Sequence, residues 1–353
     1  MKRFKALPVH LVEIEGGVVV KRGCTEIKIL GDGASEVVQT VFAATLTQAG
    51  ATHSDILELF SRPSRAAIED LLHQLKDRRL LIEATPESGS TRQETPLDIF
   101  YWQSGHRTKI VHGHLNSHHF VVCGVNHISH RIVSGLSASG AHNVTVLDHP
   151  ELRSRDLFDQ AGRLSAERWP MSVVEPMALP DNLMKLSFDC LIAAAEYGSM
   201  RLLQNLNGMC VKEKRHFYPV VLQNMVGYVG PLVIPGESPC YECLRSRQDS
   251  HMEDPVSQRI FEECSLQSQE VIAFHPSIAS MIGDVAALEL VKFYGLHCYD
   301  NLGKLAELNL FDTRLATRRV LKVPRCKVCS PLNSRPTVAT KKTGFLSLNT
   351  LKK

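Results

Sequence analysis

At 353 residues the chain is long for one compact domain, and two domains are expected. Its 44% hydrophobic and 22% charged residues are ordinary globular values, and a formal charge of +3 lends no support to nucleic-acid or membrane binding. The start, MKRFKALPVHLVEIEG, has no long apolar core and no cleavage site, so neither a secretion signal nor a membrane span is read there; that implies the cytosol, where cysteines are reduced thiols or metal ligands.

Residues 1–84 form the first expected unit. PVHLVEIEGGVVVKRGCTEIKIL reads as three short strands, with Gly16-Gly17 and Arg22-Gly23 at the turns. Residues 34–48 then place Val37, Val38, Val41, Phe42 and Leu46 at helical spacing. A short helix capped by Ser54 carries Ile56, Leu57, Leu59 and Phe60. A third, capped by Ser64, sets Ile68, Leu71, Leu72 and Leu75 on one face. RRLLIEA returns as a strand, which completes a winged-helix-like domain. Residues 85–118 are read as a linker, opening with the polar TPESGSTRQETPLD. Residues 119–330 alternate strands and helices, the pattern of a mainly parallel, Rossmann-like α/β sheet. Residues 331–353 are basic and aperiodic, and are expected to be a flexible tail with FLSL as a docking segment. The fold class is therefore α/β.

Two C-x-x-C pairs carry the strongest chemical signal. SPCYECL supplies Cys240 and Cys243, and PRCKVCS supplies Cys326 and Cys329. Four soft thiolates suit tetrahedral Zn²⁺, and with no open position the site should be structural; pairs so far apart would staple distant parts of one domain. The alternative is four reduced thiols. Redox use is disfavoured, because neither pair is read at the start of a helix in a thioredoxin-like unit. A second signal is FVVCGVNHISHRIVSGLSASGAHNVTVLD: an apolar strand, a helix and a second strand, the frame of a nucleotide site. Such a site needs G-x-G-x-x-G so that backbone N–H groups approach phosphate. Here Gly124 keeps the first position, Asn126 takes the second and Ser129 the third. Asp148 fits a ribose contact, or equally a strand-end cap.

VGYVGPLVIPGESPCYECL, then HPSIASMIGDVAALELVKFYG with its G-x-x-A-A-x-E-x-x-K helix over 283–292, then CKVC, resembles the ThiF/MoeB/ubiquitin-activating superfamily over about 210 residues. The resemblance implies a phosphate arginine, for which Arg153 or Arg155 stands in. It also implies an activating lysine, yet none occurs between Lys109 and Lys185. A Mg-associated aspartate should follow FDCLIAAA, where the chain reads Glu196-Tyr197-Gly198. The expectation is a scaffold that has lost ATP chemistry. Cys264, in FEECSLQ, lies where some relatives carry an acceptor thiol in the crossover loop, and is either a nucleophile or a plain reduced cysteine. His112, His114, His118, His119, His127 and His130 fall mostly in a stretch read as loop, without paired ligand spacing, so a metal role is disfavoured.

Three strands followed by three helices look like the PqqD-like peptide-recognition domain. Joined to a ThiF-like domain, this is similar to the ThiF-like partner protein of thiazole/oxazole-modified peptide (microcin and bacteriocin) cyclodehydratases. That resemblance implies capture of a precursor-peptide leader, an ATP-using YcaO-type cyclodehydratase as partner, an FMN-dependent azoline dehydrogenase beside it, and a homodimer. The implied mechanism is strand addition to a sheet edge. Thr25, Glu26, Ile27, Lys28, Ile29 and Leu30 are the expected edge, with residues 18–21 as the alternative, and Ile68 and Leu72 line the groove helix. The alternative functions are an ATP-dependent adenylating enzyme acting on a carboxylate, which the altered loop opposes, and a DNA-binding winged helix, which Glu69 and Asp70 on the third helix oppose.

Overall fold

A computed structural model of the chain describes residues 2–47, 50–84, 94–169, 174–196, 198–223, 225–264, 274–309 and 311–330. They fall into two units, Met1–Val111 and His112–Lys353. In the first, β1 (Arg3–Ala6) lies between β5 (Ala51–Thr52) and β6 (Leu81–Glu83) in one small sheet. The expected three strands form an antiparallel meander, β2 (His10–Ile14), β3 (Gly17–Arg22) and β4 (Thr25–Leu30). Alternation along β3 turns Val18 and Val20 inward, where with Ile27 they meet Val38, Val41 and Phe42 of α1 (Ala34–Thr45), Ile56 of α2 (His53–Glu58) and the Ile68/Leu71/Leu72/Leu75 stripe of α3 (Arg65–Asp77). Each such aliphatic side chain contributes about 1.5–3 kcal/mol.

The helix starts differ in detail from expectation. α2 begins earlier, because Thr52 and Asp55 form a capping box. Ser64 precedes α3 but makes no side-chain cap bond, since a 3-10 turn, Arg62–Ser64, already leads into the helix. From residue 96 the stretch read as linker carries α4 (Pro96–Gln103) and α5 (Thr108–Asn116). Thr95 and Asp98 close a capping box with Pro96 at the first helical position, a start signal hidden in a polar run. Arg22 is buried and donates two 2.8 Å bonds to Glu94 and one to Pro8 O, with its guanidinium over Trp102. Residues 85–93 and 331–353, including FLSL, lie outside the described residues.

The second unit is built on an eight-stranded sheet. β7 (Phe120–Cys123), β8 (Val144–Asp148), β9 (Met177–Ala178), β10 (Cys190–Ala195) and β11 (His216–Gln223) are parallel. β12 (Val226–Val229), β13 (Lys304–Asn309) and β14 (Arg314–Arg319) extend it antiparallel, β13 reached only after three helices, in the order β14-β13-β12-β11-β10-β7-β8-β9. β7 and β10 are buried throughout, as strands covered on both faces must be. α7 (Met200–Lys212) and α8 (Tyr241–Asp249) contribute to the core shared by the cysteine pairs; α9 (Pro255–Cys264) follows. α6 (His127–Ala138) packs on α10 (Pro276–Leu290), which continues as a π-helical turn, Val291–Gly295. The G-x-x-A-A signature has its reason here: a Cβ on Gly283 would lie 2.7 Å from Ile128 O and from Arg131 Cβ. Strand order reverses between β7 and β10, where an open α/β sheet places its ligand crevice.

Candidate functional site

At that reversal β7 delivers Gly124 into the turn before α6. Its φ of +115° is open to glycine, and an added Cβ would meet Ala194 O at 2.9 Å. Asn126, with its side chain buried, replaces the second glycine. Its Oδ1 accepts from Ser129 N (2.9 Å), while its Nδ2 donates to Leu152 O (2.9 Å) and Ala194 O (2.8 Å). Ser129, at the third glycine position, accepts from Asn126 N at 3.0 Å and closes a capping box. Where a nucleotide loop leaves room for phosphate, this one is filled by an amide that ties the turn after β7 to the 3-10 turn Pro150–Leu152 and to the end of β10.

Two further donors at this site are engaged. His127 N donates to Glu196 Oε1 at 2.7 Å, and Ser154 Oγ donates to Glu196 Oε2. The Glu196 carboxylate thus sits at the positive end of α6, where an incoming anion would bind. Burial raises its pKa, an effect opposed by the bond from Ser154 and by His127. His127 Nε2 lies 2.9 Å from Asp156 Oδ2. Asp148 is held by Arg153 through two bonds of 2.7 and 2.6 Å, and that guanidinium covers the Phe158 ring. Arg155 opens the short 3-10 turn Arg155–Leu157. Asp148 and Arg153, both expected to meet a nucleotide, are paired with each other. Sequence reasoning missed Glu196 and Ser154 as loop partners. The Asn-x-x-Ser spacing was the available signal for a cap.

The four cysteines come together. Sγ separations are 3.8 Å for Cys240–Cys243, 3.6 Å for Cys240–Cys326 and 3.4 Å for Cys243–Cys329, and all four sulfurs lie within 4.8 Å of one another. A tetrahedron with Zn–S bonds of about 2.3 Å has edges of roughly 3.8 Å, so the cluster fits Zn²⁺. Contrary to expectation, one pair does begin a helix: Cys240 is the residue before α8. In the metal-free cluster the sulfurs share hydrogen bonds: the Cys240 thiol donates to Cys243, which lowers the Cys243 pKa and raises that of Cys240, and Val323 N–H also donates to Cys243. Burial pushes the Cys123 and Cys190 thiols, outside the cluster, up to about 12.

The histidines are not gathered. His112 and His114 lie on α5 and His127 and His130 on α6, rather than in a loop. His114 packs tilted on His297, His118 tilted on Tyr294 and His130 edge-on against Trp169, while His119 bonds Ser187 O and Thr145. Among the described residues the four cysteines are the one group placed to hold a metal. The Cys264 side chain lies outside the described residues.

In the first unit β4 is the edge of its meander, paired only with β3 among the described residues. Residues 18–21, the alternative edge, belong to the middle strand, paired on both sides. Gly31 N donates to Gly16 O, which fixes the phase of the ladder: Thr25, Ile27 and Ile29 exchange bonds with β3, and the backbone groups of Glu26, Lys28 and Leu30 face the open side. Ile68 and Leu72 are core residues, at 3% and 0% exposure, and are not available to anchor a peptide.

No family model matches the sequence, and no curated protein matches it. Solved structures do match. E. coli MccB superposes with a TM-score of 0.66 at 17% identity, over 94% of this chain and 97% of that one. E. coli MccB with ATP gives 0.66 at 18%, over 93% and 99%. The microcin C7 biosynthetic enzyme MccB in complex with N-formylated MccA gives 0.67 at 17%, over 94% and 100%. The heterocyclase TruD gives 0.61 at 17%, over 94% of this chain and 43% of TruD. The chain has the fold of MccB, in line with the ThiF-like fold expected from the sequence. Among the described residues no helix is long and apolar enough to cross a membrane.

Proposed function

We propose that this chain is the leader-binding component of a ribosomal-peptide maturation system, presenting a precursor peptide to a YcaO-type cyclodehydratase that supplies the ATP chemistry. One observation carries the reading: at the N-terminus of α6 the Asn126 amide and the Glu196 carboxylate take up the N–H groups of Ser129 and His127, and that carboxylate would repel a triphosphate there. The fold likeness to MccB, solved with MccA, and to the heterocyclase TruD supports peptide maturation as the setting. The leader adds to β4 through the backbone groups of Glu26, Lys28 and Leu30. Cys240, Cys243, Cys326 and Cys329 hold Zn²⁺, which supplies a cross-link and no reaction chemistry.

The ladder phase identifies the informative variant. Ile27→Pro or Ile29→Pro breaks the β3–β4 ladder, and Ile27 is a core residue. Lys28→Pro removes a donor only from the open side. Titration of full-length protein with the leader of the precursor encoded beside its gene should show binding that Lys28→Pro weakens at least tenfold while the melting profile is kept. Unchanged binding by Lys28→Pro would reject β4 as the peptide edge. The second reading, adenylation, is favoured by the same fold solved with ATP. Precursor-dependent exchange of pyrophosphate into ATP by this chain alone, abolished by Asp148→Ala, would establish it.

A further inference from the structure

The last strand, β14, is paired only with β13 among the described residues and ends the eight-stranded sheet. Val320 N donates to Gly303 O, which sets the ladder phase: Arg314, Ala316 and Arg318 bond to β13, and the backbone groups of Leu315, Thr317 and Arg319 face outward. A cavity of about 110 Å³ opens beside this edge. Its walls include Tyr218, Val285, Leu290 and Phe293, and it is also lined by Leu315 and Thr317 of β14. Leu315 is 65% exposed. The acid in the cavity, Glu289, is already engaged by Lys292 (2.6 Å) and Asn301 (2.7 Å). A dry cavity of about 150 Å³ holds benzene, so this one suits a single aliphatic side chain.

The same edge is strongly basic. Arg314, Arg318, Arg319, Lys322, Arg325 and Lys327 follow within one short stretch that contains no Asp or Glu. Glu307 pairs with Arg318 and Glu242 with Lys327. Arg314, Arg319, Lys322 and Arg325 have no carboxylate partner among the described residues, and Arg314 and Arg319 are exposed. Charge on an edge strand also keeps sheets from pairing with one another. That protective role does not account for an apolar cavity at the same edge. It does disfavour a second copy of this strand, which would bring two strongly basic edges together.

We infer that β14 is a docking edge for an extended acidic segment of a partner protein, which adds as a ninth strand and places one aliphatic side chain in the cavity. Main-chain bonds to Leu315, Thr317 and Arg319 set its register, and the unpaired guanidiniums select its charge. The site is independent of β4, which belongs to the other unit.

The test uses full-length protein and a fluorescein-labelled decapeptide that alternates glutamate with valine and leucine, followed by anisotropy at low salt. Thr317→Pro removes an outward donor without touching the β13 ladder, and Arg314→Glu/Arg319→Glu reverses charge at exposed positions. Binding should weaken at least tenfold in each variant, fall with added salt, and be absent for the same peptide with lysine in place of glutamate. The double charge variant should instead bind the lysine peptide. No binding of the acidic peptide, equal binding of acidic and basic peptides, indifference to Thr317→Pro in a variant with unchanged circular dichroism, or equal binding of a single-stranded oligonucleotide would each overturn the inference.

Discussion

Asn126→Gly restores the second glycine of a nucleotide loop and so tests whether this loop is a damaged binding site or a repurposed one. The substitution deletes three buried hydrogen bonds, from Ser129 N and to Leu152 O and Ala194 O. At about 0.5–1.5 kcal/mol net apiece the loss is roughly 3 kcal/mol, whereas exchanging an N-cap residue for glycine alone costs only a few tenths. For a unit of this size that is a fall in Tm of about 6–12 °C. Trp169 is buried in the second unit and meets His130 edge-on, so in a Trp102→Phe background its fluorescence reports this unit's melting. The variant should also fail to gain ATP, because Glu196 still holds His127 N and Arg153 still holds Asp148. A Tm shift under about 3 °C would refute the tying role of the amide. Micromolar ATP affinity in the variant would show that Asn126 alone had closed the site.

Metal analysis should find one zinc per chain in purified protein, and Cys326→Ser should lose most of it and lower the Tm of the second unit; a metal-free wild type of the same stability would reject the site. Gly283→Val should destabilise by about 1–3 kcal/mol, because its Cβ would meet Ile128 O and the α6 backbone has no room to retreat; a neutral result in chemical denaturation would contradict the close α6–α10 packing. Burial raises the Glu196 pKa above its ordinary 4.5, so the native state holds that proton more tightly than the unfolded chain. The resulting stabilisation is complete below about pH 4.5 and is lost as pH rises through the folded value. Relative to Glu196→Gln, which cannot titrate, the wild type should therefore lose stability across that window, and a difference flat in pH from 4 to 7 would count against a buried, desolvated carboxylate.

What could be read from the sequence was whatever is local or periodic. Val18 and Val20, the Ile68-to-Leu75 stripe and the buried run of β10 announce their elements because each repeats at the spacing of its own backbone. The cysteine pairs were legible because two close thiolates have few structural uses. The helices over 96–116 were not, since the capping box at Thr95 that starts the first of them sits inside the polar run TPESGSTRQETPLD. Ile68 and Leu72 look equally apt for a groove or a core, and only the packing of the meander onto α3 decides between them. The nucleotide loop shows the limit most clearly. Missing glycines at 126 and 129 are visible by inspection and argue against phosphate. What meets the start of α6 is not visible, because Glu196 arrives from the end of β10, brought beside β7 by parallel pairing of strands distant in the chain. A helix start needs its N–H groups satisfied whether or not a ligand is present. In this loop the chain supplies the amide and the carboxylate itself, so the start of α6 is capped from within where glycines are absent.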